Sequence, residues 1–197
     1  MRLRDEAKEL AIREQAVEMI VREGFDGLSM HKLAKAAGVS PATIYIYFKD
    51  REDLIMQIYF EEMQRMSAIT LNGFDPEMHF EEGLRIQWMN RIAYCLQYPQ
   101  RMRFMEQMRH SPFHDKFISN ANNPFISVMG TFVHNAIQRN ELVKLPVEVY
   151  WSIAFAPLYQ LVKFHMSGQS FPGTSHFELN DKLINQALEL VLKALRP

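Results

Sequence analysis

Cysteine, glycine and long apolar runs are all scarce in this chain of 197 residues. The single cysteine, Cys95, excludes an internal disulfide and fits a reducing compartment. The longest uncharged stretch in the C-terminal part, residues 149–162, contains Pro157, whereas a membrane span needs about 20 apolar residues. Asp5 and Glu6 stand near the N-terminus, where a targeting segment would be apolar. We therefore expect no membrane anchor and a cytoplasmic location.

Catalytic and metal-binding motifs are also missing. The sequence has no Gly-rich phosphate loop, no nucleophile elbow and no pair of carboxylates at a catalytic spacing. His110 and His114 are four residues apart, but Pro112 between them disrupts the helical face that two metal ligands would share. Cys95 has no histidine or acidic residue at a telling spacing, which favours a buried thiol over a redox sensor. The sequence therefore predicts neither an enzyme nor a bound metal or cofactor.

The pattern of the whole chain predicts an all-α fold of nine to ten helices. Strand-like alternation is absent, while Pro and Asn/Asp/Ser residues interrupt the chain at regular intervals. Helices are expected over residues 10–23 and 51–71, from Asp75-Pro76 to Tyr98, and from Pro99, Ser111-Pro112, Asn123-Pro124 and Leu145-Pro146, the last with a kink at Pro157. A capping box of Ser175 and Glu178 is expected to begin a final helix that ends near Leu195.

Two short helices joined by a tight turn are predicted near the N-terminus. Ser29 can cap a helix over residues 30–37, and Gly38 can adopt the left-handed conformation that ends it. Ser40 can cap a second helix, in which Pro41 suits the first position because its missing N–H would have no partner there. The pair is typical of a helix-turn-helix.

The second helix of this pair has the features of a DNA recognition helix. Ile44 and Phe48 are spaced to pack back onto the first helix, together with Val39. Small, hydroxyl-bearing and basic residues occupy the remaining positions, where they could reach base edges and phosphates. The predicted DNA contacts are Ser29, Lys32, Ser40, Pro41, Ala42, Thr43, Tyr45, Tyr47, Lys49 and Arg51. Thr43, Tyr45 and Tyr47 are expected to face outward. The alternative is a helical hairpin whose tyrosines only complete a small core.

Charge supports DNA binding only locally. The net charge of the chain is −1, and residues 1–27 carry more acidic than basic groups. Within residues 28–51, Asp50 is the only acidic residue, against four basic ones, Lys32, Lys35, Lys49 and Arg51. Each neutralised phosphate adds affinity through the release of counterions. So small a patch predicts weak binding by one copy and a need for a dimer.

About the first 55 residues resemble the TetR-type bacterial transcriptional regulators. The matching positions are Ile12, Ala16, Met19, Ile20, Gly24, Phe25, Ser29, Met30, Leu33, Ala34, Ala37, Gly38, Val39, Ser40, Thr43, Ile44, Tyr45, Tyr47, Phe48 and Arg51 to Leu54. Pro41 and Ala42 depart from the family's pattern, so base preference cannot be carried over from a relative. The resemblance implies a DNA-binding domain over residues 1–50 and a ligand-binding and dimerisation domain over residues 51–197.

The last two long helices are expected to form a dimer interface. Residues 149–162 and 179–195 are apolar over much of their helical circumference, as buried helices are. The resemblance implies that they pair with the same helices of a second copy in a homodimeric four-helix bundle. The predicted interface residues are Ile153, Leu161, Leu188, Val191, Leu192 and Leu195. Ile184, on the same predicted helix, is not assigned to the interface. The alternative is that both helices only close the core of one chain.

A middle section rich in methionine and aromatic residues is the candidate effector pocket. Methionine adapts to irregular space and suits a cavity for varied apolar ligands, and the resemblance implies an inducer there. The predicted lining is Trp88, Met89, Ile92, Met105, Met108, Phe125, Met129, Phe132, Trp151, Phe155 and Tyr159. The alternative is a solid core, the ordinary role of such residues.

These features predict a ligand-responsive transcriptional repressor. It would bind a palindromic operator in double-stranded DNA as a homodimer and be released by a small apolar or amphipathic molecule of unknown identity. One alternative is a DNA-bound scaffold whose C-terminal domain binds a protein partner. Another is a small-molecule carrier or enzyme that retains the hairpin without binding DNA. Salt-dependent operator binding would exclude the carrier, and ligand binding would distinguish the repressor from the scaffold.

Overall fold

A computed structural model describes residues 5–114, 124–173 and 175–197. Within these ranges the chain forms ten helices and no strand, apart from an isolated pairing of Gln169 with His176. Residues 112–114 are also helical, as the predicted start at Ser111-Pro112 requires. The helices are α1 (Glu6–Gly27), α2 (Met30–Ala36), α3 (Pro41–Tyr47), α4 (Arg51–Thr70), α5 (Phe80–Gln97), α6 (Pro99–Arg109), α7 (Pro124–Gln138), α8 (Val147–Ala154), α9 (Ala156–Ser167) and α10 (Asp181–Leu195). The all-α prediction is confirmed.

Most predicted helix starts are also confirmed. The side chains of Ser29 and Ser40 cap α2 and α3, and the Asp50 carboxylate accepts a hydrogen bond of 2.9 Å from the Asp53 N–H in the first turn of α4. The predicted kink at Pro157 is a break between α8 and α9, because proline cannot donate to the carbonyl four residues earlier. Asn123 lies outside the described residues.

Three predicted helix starts are wrong. The first helix begins at Glu6 and not at Leu10, because the Asp5 side chain caps it by accepting from the Lys8 N–H. Residues 75–78 form a turn in which the Asp75 carboxylate accepts from the Glu77 N–H, and α5 begins only at Phe80, whose N–H donates to the Glu141 carboxylate at 2.8 Å. The capping box of Ser175 and Glu178 does not form. Ser170 N–H instead donates to the Ser175 carbonyl, and the Asn180 side chain caps α10 by accepting from the Leu183 N–H.

The described residues divide into two compact units. The first contains residues 5–65 and 98–114, and the second contains residues 66–97, 124–173 and 175–197. The helix α4 contributes its first fifteen residues, 51–65, to the first unit and its last five to the second. These units describe packing, so the predicted functional division after residue 50 stays a prediction.

The core of the first unit holds the helix-turn-helix in place. It joins α1, α2, α3, the first part of α4 and α6 through the buried side chains of Ile12, Ile20, Leu33, Ile44, Phe48, Leu54, Ile55, Phe104 and Met108. Burial of this apolar surface is the main stabilising contribution. The Glu62 carboxylate of α4 is also buried, and it pairs with Arg65 at 3.5 Å and with Arg101 of α6 at 3.6 Å.

The second unit packs α5 against α7, α8, α9 and α10. Its fully buried side chains include Leu84, Trp88, Phe132, Phe155, Val162 and Leu188. Close approach of α5 and α7 depends on Gly83, because a Cβ at this position would overlap the ring of Phe132. That ring also contacts Phe74, with 4.9 Å between centroids, and Phe80, with 5.7 Å.

Candidate functional site

The turn between α2 and α3 has the geometry that the sequence predicts. Gly38 has a φ of +66°, which favours glycine, and the Val39 N–H donates to the Ala34 carbonyl at 2.9 Å. Ser40 Oγ accepts from the Thr43 N–H at 3.2 Å and lies 2.8 Å from the Thr43 hydroxyl. The first turn of α3 is therefore fixed by its own cap.

The helix α3 has one buried face and one exposed face. Ile44 and Phe48 are buried, as predicted. Ala42 is exposed, Thr43 is half-buried, and Tyr45 has 55% of its surface exposed. A small residue, a hydroxyl and an aromatic ring are thus available on the outer face, where Ala42 and Thr43 are of the types that can contact base edges in the major groove. Pro41 is half-buried at the start of α3.

Tyr47 does not face outward, so that prediction is wrong. Only 6% of its surface is exposed, and its hydroxyl accepts from the Asp5 N–H at 3.0 Å and donates to the Asp5 carbonyl at 3.2 Å. The reason is helical spacing. Residue 47 is three positions after Ile44 and therefore lies on the same buried stripe. Tyr47 joins α3 to the start of α1.

The predicted basic and cap residues have different surroundings. Arg51 is half-buried and donates through Nη2 to the carbonyl of Phe25. Lys32 pairs with Glu23 at 3.5 Å, whereas no carboxylate among the described residues pairs with Lys49, whose side chain is exposed. Ser29 is occupied as the cap of α2. Of the basic residues in the predicted set, Lys49 is the most available to a phosphate.

The predicted pocket lining is divided between the two units. Met105 and Met108 of α6 pack in the core of the first unit, against α1 and α4 residues, while the other nine residues belong to the second unit. Met89 is 44% exposed and does not face the interior, because α5 buries the stripe that contains Trp88 and Ile92 instead. The exposed Met89 therefore does not fit the predicted lining, and the rest of the set stays a prediction. Trp88, Ile92, Met129, Phe132 and Phe155 are buried, and Phe125, Trp151 and Tyr159 are half-buried.

A buried arginine stands among these aromatic residues and was missed from the sequence. Arg91 of α5 is 2% exposed. Its Nη1 donates to the Tyr159 hydroxyl at 2.9 Å, and its Nη2 donates to Gln87 Oε1 at 3.2 Å. The guanidinium carbon lies 4.3 Å from the ring centroid of Phe155 and 5.2 Å from that of Trp151. The sequence signal that could have identified Arg91 is its spacing of four residues from Gln87, which places both polar side chains on the same helical face as Trp88.

Gln87 links this arginine to the end of α4. The Gln87 side chain is fully buried, and its Nε2 donates to the Thr70 carbonyl at 2.7 Å. Asn90 Nδ2 donates to the same carbonyl at 3.1 Å and to the Asn72 carbonyl at 2.8 Å. The last turn of α4, whose carbonyls have no partners within the helix, is thus held by two side chains of α5.

Four of the six predicted interface residues are unavailable to a partner. Leu188, Val191, Leu192 and Leu195 are at most 5% exposed within one chain, because they form the face of α10 that packs on α8 and α5. Ile153 and Leu161 are half-buried.

Ile184 lies on the same buried face of α10 and is 5% exposed. It lies four positions before Leu188, so the two side chains share one side of the helix. Ile184 is therefore a core residue of one chain, outside the interface set. The exposed apolar side chain on α10 is Leu190, with 60% of its surface accessible.

Cys95 is buried and 1% exposed. Burial raises the pKa of its thiol to about 12, and the nearby charge of Arg91 only partly opposes this effect. The thiol is therefore protonated and unreactive at neutral pH. None of the helices in the described ranges is long and apolar enough to cross a bilayer, and no cluster of metal-ligating side chains occurs in these ranges.

Comparison with known proteins agrees with this architecture. The model of the family described as "Bacterial regulatory proteins, tetR family" matches residues 12–58, which include α2 and α3. An HTH-type transcriptional regulator of Haemophilus influenzae is 25% identical over 178 residues, or 90% of each protein. A TetR family transcription regulator of Marinobacter aquaeolei VT8 superposes with a TM-score of 0.80 at 29% identity, over 100% of this chain and 99% of the other.

A third protein shares the fold at lower identity. FadR of Bacillus subtilis, solved in complex with stearoyl-CoA, has a TM-score of 0.73 and 22% identity, over 95% of this chain and 100% of the other. The family model falls on the helix-turn-helix itself, and the relatives from Haemophilus and Marinobacter match along nearly the whole chain. Residues 12–58 thus match the TetR family in the helix-turn-helix, and nearly the whole chain is similar to helix-turn-helix transcriptional regulators of that family.

Proposed function

We propose that this protein is a repressor that binds a palindromic operator as a homodimer and is released by a small apolar or amphipathic inducer. The observation that carries the proposal is the outer face of α3, where Ala42, Thr43 and Tyr45 are accessible on a helix fixed by the Ser40 cap and by buried Ile44. Two such helices would enter successive major grooves about 34–36 Å apart. The protein would act in the cytoplasm, where operator DNA lies.

The proposed contacts follow the accessibility of each side chain. Thr43 and Ala42 would approach base edges, whereas Tyr45 and Lys49 would bind phosphates. The proposed set also keeps Ser29, Lys32, Ser40 and Pro41, which are exposed or half-buried. Tyr47 and Arg51 are assigned instead to positioning, because both bond to the protein backbone.

Response to an inducer would pass through α4. This helix begins at Arg51, four residues after α3 ends, and its last carbonyl is held by Gln87 and Asn90 of α5. A ligand that displaces α5 would therefore act on a helix continuous with the DNA-binding region. A protein of the same fold, FadR of Bacillus subtilis, is known in complex with stearoyl-CoA, which supports a small-molecule ligand for this protein as well.

The DNA-binding part is tested by selecting bound duplexes from a random pool with the full-length protein. We expect enrichment of a palindrome, and an affinity for it that falls steeply with salt because phosphate contacts release counterions. A scrambled duplex of the same composition is the control. A pool that shows no enrichment after repeated rounds contradicts operator binding and favours the carrier.

The ligand response is tested separately on the selected duplex. Compounds that raise the melting temperature of the protein should also lower its affinity for the operator, since binding to the two sites is coupled reciprocally. Compounds that stabilise the protein but leave operator affinity unchanged would contradict induction. If a broad screen finds no stabilising compound, the scaffold that binds a protein partner becomes the better interpretation.

A further inference from the structure

Arg91 carries a buried charge without an acidic partner. Its side chain is 2% exposed, and its hydrogen-bond partners are the side chains of Tyr159 and Gln87. No Asp or Glu in the described ranges forms an ion pair with it. Its Nε–H has no hydrogen-bond acceptor among the described residues. A buried charge is costly unless it is paired and hydrogen-bonded, so this arginine is incompletely satisfied in the protein alone.

Aromatic rings surround the guanidinium and only partly compensate its charge. Ring centroids of Phe155, Trp151 and Phe125 lie 4.3, 5.2 and 5.5 Å from the guanidinium carbon. Cation–π contacts of this kind stabilise the charge, but the rings supply no acceptor atom for the Nε–H. The rings also provide flat apolar surface directly beside the charge.

A second buried donor without a partner lies in the same group of rings. Tyr150 is 4% exposed, and its hydroxyl bonds to no atom of the described residues. Its ring meets that of Phe155 edge-on, with 6.3 Å between centroids. Burial raises the pKa of Tyr150, although the nearby Arg91 charge lowers it in part. At neutral pH the hydroxyl therefore keeps its proton and can donate.

We propose that Arg91 and Tyr150 bind the carboxylate of an amphipathic effector whose apolar body lies against the rings of Phe125, Trp151 and Phe155. This inference rests on the proposed function and narrows its ligand to a chemical class. One guanidinium and one neutral hydroxyl supply a single positive charge and N–H and O–H donors, which match a monoanion. A carboxylate also has the planar geometry that a guanidinium binds best.

The site also explains how such a ligand would reach α4. Nη2 of Arg91 donates to Gln87, and Gln87 in turn donates to the last carbonyl of α4 at Thr70. A carboxylate that draws the guanidinium toward itself would compete with the Gln87 bond. Gln87 would then be free to change its contact with the end of α4.

Two pairs of probes test the carboxylate against its neutral counterpart. Decanoate and decan-1-ol share an aliphatic body, and 2-naphthoate and 2-naphthamide share an aromatic one. We expect the carboxylate of at least one pair to raise the melting temperature of the full-length protein and to bind in calorimetry, with its neutral counterpart about tenfold weaker or more, since a hydrogen bond to a charged group is worth about 1.5–3 kcal/mol. The pair that responds identifies the effector body as aliphatic or aromatic.

Substitutions then locate the binding. Arg91→Met should weaken the carboxylate about tenfold to a hundredfold and leave the neutral probe nearly unchanged. Tyr150→Phe removes one hydroxyl, keeps the ring, and should weaken the carboxylate about fivefold. Arg85→Met is the matched control on α5, because Arg85 pairs with Glu189 at the surface. Tyr150→Phe also keeps the test valid if Arg91→Met fails to fold.

Failure of this inference is distinguishable from failure of the proposed function. If the neutral or a cationic probe such as decyltrimethylammonium binds as well as the carboxylates, or if Tyr150→Phe and Arg91→Met bind them like the parent, the carboxylate site is wrong while ligand response can still hold. If the carboxylates bind through Arg91 but leave operator affinity unchanged, the site stands and induction is contradicted.

Discussion

The role of a single residue in this protein depends on whether the fold buries or exposes its side chain, as the two tyrosines of α3 show. Tyr45 and Tyr47 are alike in the sequence, yet one is 55% exposed and the other 6%. The spacing from Ile44 could have separated them, since positions 44, 47 and 48 share a stripe. The contact of Tyr47 with Asp5 could not be inferred, because it joins residues 42 positions apart.

The two tyrosines should therefore respond differently to substitution. Tyr45→Ala should leave stability within about 0.5 kcal/mol of the parent, as surface changes usually do, and should weaken DNA binding. Tyr47→Phe should lose about 1 kcal/mol of unfolding free energy, because it removes two hydrogen bonds to Asp5. Urea unfolding and operator titration at one salt concentration measure both effects. Equal DNA affinity for Tyr45→Ala and the parent would contradict the assignment of the outer face.

Cys95 provides a test of burial at the residue scale. Because burial raises the pKa of its thiol to about 12, the reactive thiolate is nearly absent at pH 8. We expect the folded protein to react with a thiol reagent at least tenfold more slowly than the protein unfolded in urea, whose cysteine has an ordinary pKa near 8.5. Equal rates in the two states would show that Cys95 is accessible.

At the scale of helices, local caps were readable from the sequence and remote ones were not. Ser29, Ser40 and Asp50 accept bonds from residues three positions ahead, so their pattern alone located α2, α3 and α4. The start of α5 escaped, because its first N–H is satisfied by Glu141, 61 residues away. Serine is a residue type that often caps helices, but the hydroxyl of Ser175 forms a hydrogen bond with the hydroxyl of Ser170 in a turn.

The contact between α5 and α7 gives a matched pair of glycine substitutions. Gly83→Ala should destabilise the protein by about 1–3 kcal/mol, because the new Cβ would overlap Phe132, and this cost exceeds the gain of about 1 kcal/mol expected for alanine in a helix. Gly130→Ala on α7 meets no atom within 4 Å and should stabilise by up to that gain. Thermal unfolding of both variants measures the difference. A stabilised Gly83→Ala would show that α5 and α7 are further apart.

At the scale of the whole molecule, the sequence indicated the DNA-binding region but not the partners of every helix. The helix α6 was assigned with the ligand-binding part because it is rich in methionine, yet Phe104 and Met108 pack in the same core as Ile12 and Ile44. An apolar face indicates that a helix is buried, but it does not indicate which other element the helix packs against. The same limit affected α10, whose apolar residues were assigned to a partner and instead close the core of one chain.

The proposed dimer must therefore use the apolar surface that one chain leaves exposed. On α10 this surface contains Leu190, which is 60% exposed, with Leu183 half-buried on the same side. Leu190→Glu should convert the dimer to a monomer without unfolding it, because an unpaired charge in a desolvated interface costs several kcal/mol. Operator affinity should fall with it, since two linked half-sites bind far more tightly than one. Leu188→Glu cannot serve, because Leu188 is in the core.

Sedimentation at several concentrations, with circular dichroism to confirm folding, measures this prediction. Leu96→Glu is the matched control, since Leu96 is a 43% exposed leucine on α5 in the same unit, and it should remain dimeric with parental affinity for the operator. If Leu190→Glu stays dimeric while Leu96→Glu becomes monomeric, the interface lies on α5 and not on α10. A parent that sediments as a monomer at all concentrations would contradict the homodimer, and with it the need for a palindromic operator.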